Sequence, residues 1–166
     1  MSNCLAAIGA TEAGLGIDPK LILAGRHIND SMGEYVADIV LKHIVRNNSN
    51  IGEAKVLVMG ATFKEDVPDI RNSKVADIIM ALKSYNLNVH VIDPHASSEE
   101  LLHEYGFTLS EEIGNDYDAV VLAVQHKDYK KLDGPYFESI TKKEALIADI
   151  KGLFRNSITN RDYWSL

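Results

Sequence analysis

Between Gly60 and Ser73 the chain carries a dense run of functional side chains: Phe63, Lys64, Glu65, Asp66, Asp69 and Arg71. Phe63 offers a flat face and Lys64 a point charge. Arg71 offers a forked donor just before an expected helix N-terminus, a favourable place for an anion. Together they suit an anionic nucleotide gripped by side chains. A dinucleotide fingerprint would need further glycines soon after Gly60, so that bare backbone could approach a pyrophosphate. Thr62 and Glu65 stand at those places. An alternative reading of the same residues involves no ligand: Phe63 fills the core, while Lys64 and Arg71 pair with Glu65, Asp66 and Asp69.

The elements around this run are those of an alternating fold. Val56-Leu57-Val58-Met59 reads as a short buried strand, Val89-His90-Val91-Ile92 as a second strand ending in a turn at Asp93-Pro94, Ala119 to Val124 as a fully buried third and Ala145 to Asp149 as a fourth. Ser73 to Tyr85, capped by Ser73, and Ser97 to Tyr105 read as helices. Buried β-branched strands alternating with helices imply parallel strands and crossover helices. The expected fold is therefore α/β, a doubly wound, mostly parallel sheet. In such a sheet ligands bind beyond the carboxyl ends of the strands. That rule selects the loop after Met59, Asp93-Pro94, the loop after Val124 and the segment after Asp149.

The front of the chain has a different rhythm. Leu5 to Ala13 reads as helical with a break at Gly14 and Gly16, and Asp18-Pro19 is a helix-start signal. A longer helix is expected to begin at Asn29, Asp30 or Ser31, each a good N-cap. Its apolar face carries Met32, Tyr35, Val36, Ile39, Val40, His43 and Ile44 at helical spacing. A polar turn from Asn47 to Gly52 ends it. Two regions follow, residues 1–50 as a helical segment and residues 51–166 as the α/β domain.

Composition bounds the partners. The 166 residues are 46% hydrophobic and 25% charged, the balance of one ordinary globular domain with a single core. A net charge of -7 with no basic stripe speaks against a nucleic-acid surface. No apolar run approaches the ~20 residues that span a bilayer, and the first residues lack the basic region of a signal peptide. Cys4 is the only cysteine, so no internal disulfide is possible and a reducing cytoplasm is the simplest compartment.

Several ordered motifs resemble the UDP-glucose/GDP-mannose dehydrogenase family, most closely its branch acting on UDP-N-acetylhexosamines. They are Leu23-Ala24-Gly25-Arg26-His27-Ile28-Asn29-Asp30-Ser31-Met32-Gly33, the run from Val56 through Phe63-Lys64-Glu65-Asp66, and Pro68-Asp69-Ile70-Arg71-Asn72-Ser73-Lys74. Val91-Ile92-Asp93-Pro94 and Asp149-Ile150-Lys151-Gly152 follow in the same order. The resemblance implies a carboxy-terminal, Rossmann-like UDP-binding domain preceded by a long central helix that builds a homodimer. It implies that Phe63, Lys64 and Lys151 contact the UDP-sugar, and that Arg71 reaches the NAD side of a closing cleft. Arg26 either contacts substrate or braces the helix start. The implied activity is two-step, NAD-dependent oxidation of a sugar C6 alcohol to a uronic acid for surface polysaccharide synthesis. The alternative is a nucleotide-binding or dimerisation module without catalysis.

Thioester chemistry of that kind needs an activated cysteine in a glycine-rich setting. Cys4 stands among Asn3, Leu5 and Ala6, so no catalytic residue is assigned to this chain and NAD is expected to be held mainly elsewhere. His90, His95, His103 and His126 show no paired ligand spacing, and no metal site is expected. Asp93 is read as a turn former, not as a ribose ligand.

Overall fold

The computed structural model describes residues 20–47 and 50–166. The readings at Cys4, Leu5 to Ala13, Gly14, Gly16 and Asp18-Pro19 lie outside the described residues. The chain divides into two compact units, residues 1–32 and Gly33–Leu166.

Helix α1 runs without interruption over Lys20–Asn47. The expected start at Asn29 to Ser31 is corrected: these residues lie inside the helix. Ser31 turns its hydroxyl back to the carbonyl of Ile28 at 3.0 Å, and Arg26 lies 3.4 Å from Asp30 one turn on. The Ser31 hydroxyl and the Asp30 carboxylate are engaged within the helix, so neither serves as a cap. Arg26 therefore lies in a helix interior, not at a helix start.

The remaining elements are β1 (Lys55–Met59), α2 (Lys74–Ser84), β2 (Asn88–Ile92), α3 (Ser98–Tyr105), β3 (Tyr117–Leu122), α4 (Gly134–Ile140), β4 (Thr141–Asp149) and β5 (Asp162–Trp164). The strands form one five-stranded sheet in the order β2-β1-β3-β4-β5, and every pairing is parallel. The doubly wound expectation holds.

Because strand side chains alternate in direction, β1 serves two cores. Val56 and Val58 face a cluster with Val36, Val40 and Ile44 of α1 and Ile78, Ile79 and Leu82 of α2. Leu57 and Met59 face the other side, with Phe137 and Ile140 of α4 and Phe154. All of these are buried, and each such side chain withdrawn from water contributes roughly 1.5–3 kcal/mol before entropy is counted. Only part of the expected α1 face is buried; Tyr35 is exposed and meets Trp164 with ring centroids 6.1 Å apart. Gly33 permits a close approach of α1 to α2: a Cβ there would stand 2.6 Å from the Cβ of Asp77.

Caps explain the helix starts. Ser73 accepts from the amide of Val75, and Ser97 from that of Glu100, as expected for α2 and α3. Asp133 caps α4, accepting from Tyr136, with Pro135 in the first turn.

Candidate functional site

The sheet order reverses at β1: the chain moves from β1 to β2 on one side, then crosses back to β3 on the other. The crevice between the carboxyl ends of β1 and β3 is the topological switch point, where such sheets hold ligands. Gly60 opens the β1 loop with φ +94, and a Cβ there would lie 2.6 Å from that of Val124. Only glycine fits where the two loops meet.

The four places selected from the sequence converge on this edge. Asp93, at the end of β2, is a tie between loops. Its Oδ2 accepts from the amides of Ala61 at 2.6 Å and Thr62 at 3.1 Å. Its Oδ1 accepts from the amides of His95 and Ala96 at 2.7 and 2.9 Å. Burial pushes its carboxyl upward, but the amides of Ala61, His95 and Ala96 outweigh this and hold it below the usual range. With both oxygens engaged, this carboxylate has no capacity left for a ribose.

From β3's loop comes His126, 0% exposed. Its Nδ1 accepts from the amide of Asp66 at 3.0 Å, which places the ring proton on Nε2. That N–H is shared between Asp93 Oδ2 at 3.1 Å and Thr62 Oγ1 at 3.2 Å. Ligand atoms of Asp66, His95 and His126 all lie within 4.8 Å of one another, a proximity that spacing along the sequence did not reveal. The His126 ring offers no free lone pair to a metal, however, since one nitrogen accepts and the other carries hydrogen.

Phe63 is 53% exposed and so stands clear of the core. Lys64 Nζ hovers 5.7 Å from the centre of its ring, within cation–π range. The neighbouring Glu65 receives Lys151 at 2.6 Å. Lys151 sits in the turn that follows β4, closed by the amide of Gly152 donating to the carbonyl of Asp149 at 3.1 Å. Asp149 anchors that turn from below, its Oδ2 accepting from the Phe154 amide at 2.7 Å and from the Tyr163 hydroxyl at 2.8 Å. The hydrogen bond from Lys151 holds the Glu65 carboxyl below its ordinary value. Phe63, Lys64 and Lys151 are thus gathered on one edge, with Lys151 matched by a carboxylate.

Arg71 lies at the far end of the loop, 76% exposed on its side chain. It forks onto Asp69, Nε to Oδ1 and Nη2 to Oδ2, both at 2.9 Å. The two bonds hold the Asp69 carboxyl down to about 2. This pairing is the one the ligand-free reading foresaw for Arg71. Beside it opens a cavity of about 670 Å³ lined by Val67, Ile70, Arg71, Glu99, Glu100 and His103, among others. Its carboxylates suit it poorly to a phosphate, and Phe63, Lys64 and Lys151 are not among its walls.

A parallel, doubly wound sheet with a cationic and aromatic loop at its switch point defines a nucleotide-binding type of α/β domain. Residues 57–156 match the UDP binding domain of the UDP-glucose/GDP-mannose dehydrogenase family, and the chain belongs to that family. It is 41% identical over 140 residues to the UDP-N-acetyl-D-glucosamine 6-dehydrogenase of Pseudomonas aeruginosa, covering 84% of this chain and 33% of that protein. Its structure resembles that of the UDP-N-acetyl-mannosamine dehydrogenase Cap5O from Staphylococcus aureus, with a TM-score of 0.68 and 31% identity over 90% of this chain and 34% of the other. The UDP-D-ManNAc dehydrogenase of Pyrococcus horikoshii, at 19% identity and a TM-score of 0.75, shares the fold. The chain spans about a third of the length of these relatives. Among the described residues, no helix is long and apolar enough to cross a membrane.

Proposed function

We propose that this chain is the part of an NAD-dependent UDP-N-acetylhexosamine 6-dehydrogenase that binds the UDP portion of the substrate. The observation that carries the reading is the meeting of two separate loops: Lys151 reaches from the end of β4 to the loop that presents Phe63 and Lys64. Two ammonium groups and an aromatic face at a switch point match a nucleoside diphosphate, which is anionic at one end and flat at the other. Family membership and the relatives' activities support the substrate class.

In this reading Phe63, Lys64 and Lys151 contact the UDP-sugar, while Arg71 answers the pyrophosphate of NAD held mainly by a partner domain. The whole enzyme converts the C6 alcohol to a uronic acid in the cytoplasm, where UDP-sugar and NAD are both supplied, and its product serves surface polysaccharide synthesis. Residues 1–50 belong to a central dimerisation region and residues 51–166 form the UDP domain. The exposed Leu23 and Ile28 of α1 favour a homodimer through that helix, because apolar side chains of this size gain from a partner surface.

Calorimetric titration with UDP tests the reading. Saturable binding that weakens about tenfold in Lys64→Ala is expected, the size of one charge-assisted contact. Absence of UDP binding by the folded chain, or parent-like binding by the variant, would remove the assignment.

A further inference from the structure

We propose that His126 is the positioning residue that sets the Phe63-Lys64 segment at the height of the nucleotide. The proposal rests on the reading that Lys64 contacts UDP. Its basis is where the His126 bonds fall: they bracket Phe63 and Lys64 on both sides. On the near side, Nε2 meets Thr62 Oγ1 at 3.2 Å, and that hydroxyl donates in turn to the carbonyl of Lys64 at 3.1 Å. On the far side, Nδ1 accepts from the amide of Asp66 at 3.0 Å.

The backbone at Asp66 is also unusual. Its φ is +58, a left-handed conformation uncommon outside glycine, though aspartate adopts it more readily than most residues. The Asp66 amide bonded to the imidazole is one hold on it, and the Lys127 amide donating to Asp66 Oδ1 at 2.9 Å is another. The ring itself is fixed from behind by Asp93, whose carboxylate is buried and saturated. A fully enclosed imidazole with every polar atom assigned is a rigid strut between β3 and the binding loop. It touches no ligand and acts through the two residues it brackets.

The experiment is a double-mutant cycle on the full chain, titrated with UDP by calorimetry. His126→Phe keeps an aromatic ring, somewhat larger than imidazole, and removes both bonds to the loop together with the one to Asp93. Its affinity is expected to fall about tenfold, as for the loss of the paired hydrogen bonds. In a background carrying both Phe63→Ala and Lys64→Ala the same substitution is expected to cost less than twofold, because both residues it positions are gone. His126→Asn sets an amide oxygen where Nδ1 stood and is expected to recover part of the loss. Faster hydrogen exchange at the Asp66 amide in His126→Phe, reversed in His126→Asn, reports the released loop independently of any ligand.

Parent-like affinity in folded His126→Phe, or an equal loss with and without the Phe63 and Lys64 side chains, overturns the proposal and leaves UDP binding intact. No UDP binding by the parent removes the functional reading itself, and this proposal with it. If the phenylalanine variant does not fold, His126→Asn and His126→Gln each retain one of the two bonds. Parent-like affinity in both then overturns the proposal, and intermediate affinity supports it.

Discussion

Replacing Glu65 by glutamine gives a test in which the sign of the effect decides. The Glu65 carboxylate lies 2.6 Å from Lys151 Nζ, and the two side chains are 36% and 52% exposed. An ion pair that open to solvent is worth about 0.2–1 kcal/mol. A diphosphate that recruits Lys151 must displace the carboxylate first, so this amount is lost from its binding free energy. Glutamine keeps the shape and removes the charge. At about 1.4 kcal/mol per tenfold, UDP affinity is expected to rise roughly 1.4- to 5-fold. The assay is titration calorimetry at low ionic strength, because salt screens exposed charges beyond ~10 Å at 0.1 M. If the pair instead serves only to hold two loops in place, the variant binds UDP more weakly. Unchanged or weaker binding refutes the assignment of Lys151 as a cation for the nucleotide.

Three further outcomes follow from particular contacts. Gly60→Ala combines a strained φ of +94 with a Cβ 2.6 Å from that of Val124, and is expected to cost about 1–3 kcal/mol. Urea denaturation should show a lower midpoint at unchanged slope. Gly33→Ala forces α1 away from Asp77 and is expected to lose roughly 1–3 kcal/mol, although alanine is the better helix former by about 1 kcal/mol; a stabilised variant would show that the helices separate freely. Asp69, held at about 2 by Arg71, contributes stability that is complete above its unfolded value of 3.8. That contribution is lost as pH falls toward 2. Carboxyl NMR titration should place the parent midpoint near 2 and return Arg71→Ala to the ordinary aspartate range, whereas a parent midpoint near 3.8 would contradict the fork.

Much of this was legible in the sequence, for identifiable reasons. The strands at Val56, Ala119 and Ala145 are dense in buried β-branched and aliphatic residues, a pattern typical of parallel sheets, whereas the edge strand at Val89 buries only Val91. Ser73 and Ser97 announced their helices because N-capping is local chemistry. The start of α1 was misplaced for the converse reason: Asn29, Asp30 and Ser31 are capping types that also occur inside helices, where here Ser31 bonds back to the Ile28 carbonyl and Asp30 meets Arg26. The short β5 edge strand, with Tyr163 and Trp164, carries too few residues for a periodic signal. In the binding loop, residue types pointed to Phe63 and Lys64, but the partners of Lys151 and His126 lie 86 and 60 residues away. No spacing rule along the chain reaches contacts of that range. A histidine two residues past the buried run that ends at Val124, at a carboxyl edge, was the one available pointer to His126.

The all-parallel strand order also bears on how the chain reaches its folded form. Val56 pairs with Val89 on one flank and with Ala119 on the other, so β1 finds neither neighbour through a hairpin. Every sheet contact must await closure of a long segment, whose entropy is spent before the contact returns anything. Refolding should accordingly be slower than for a helical bundle of equal length. A central strand, buried from Val56 to Met59, is thus secured on both sides only after two such segments have closed.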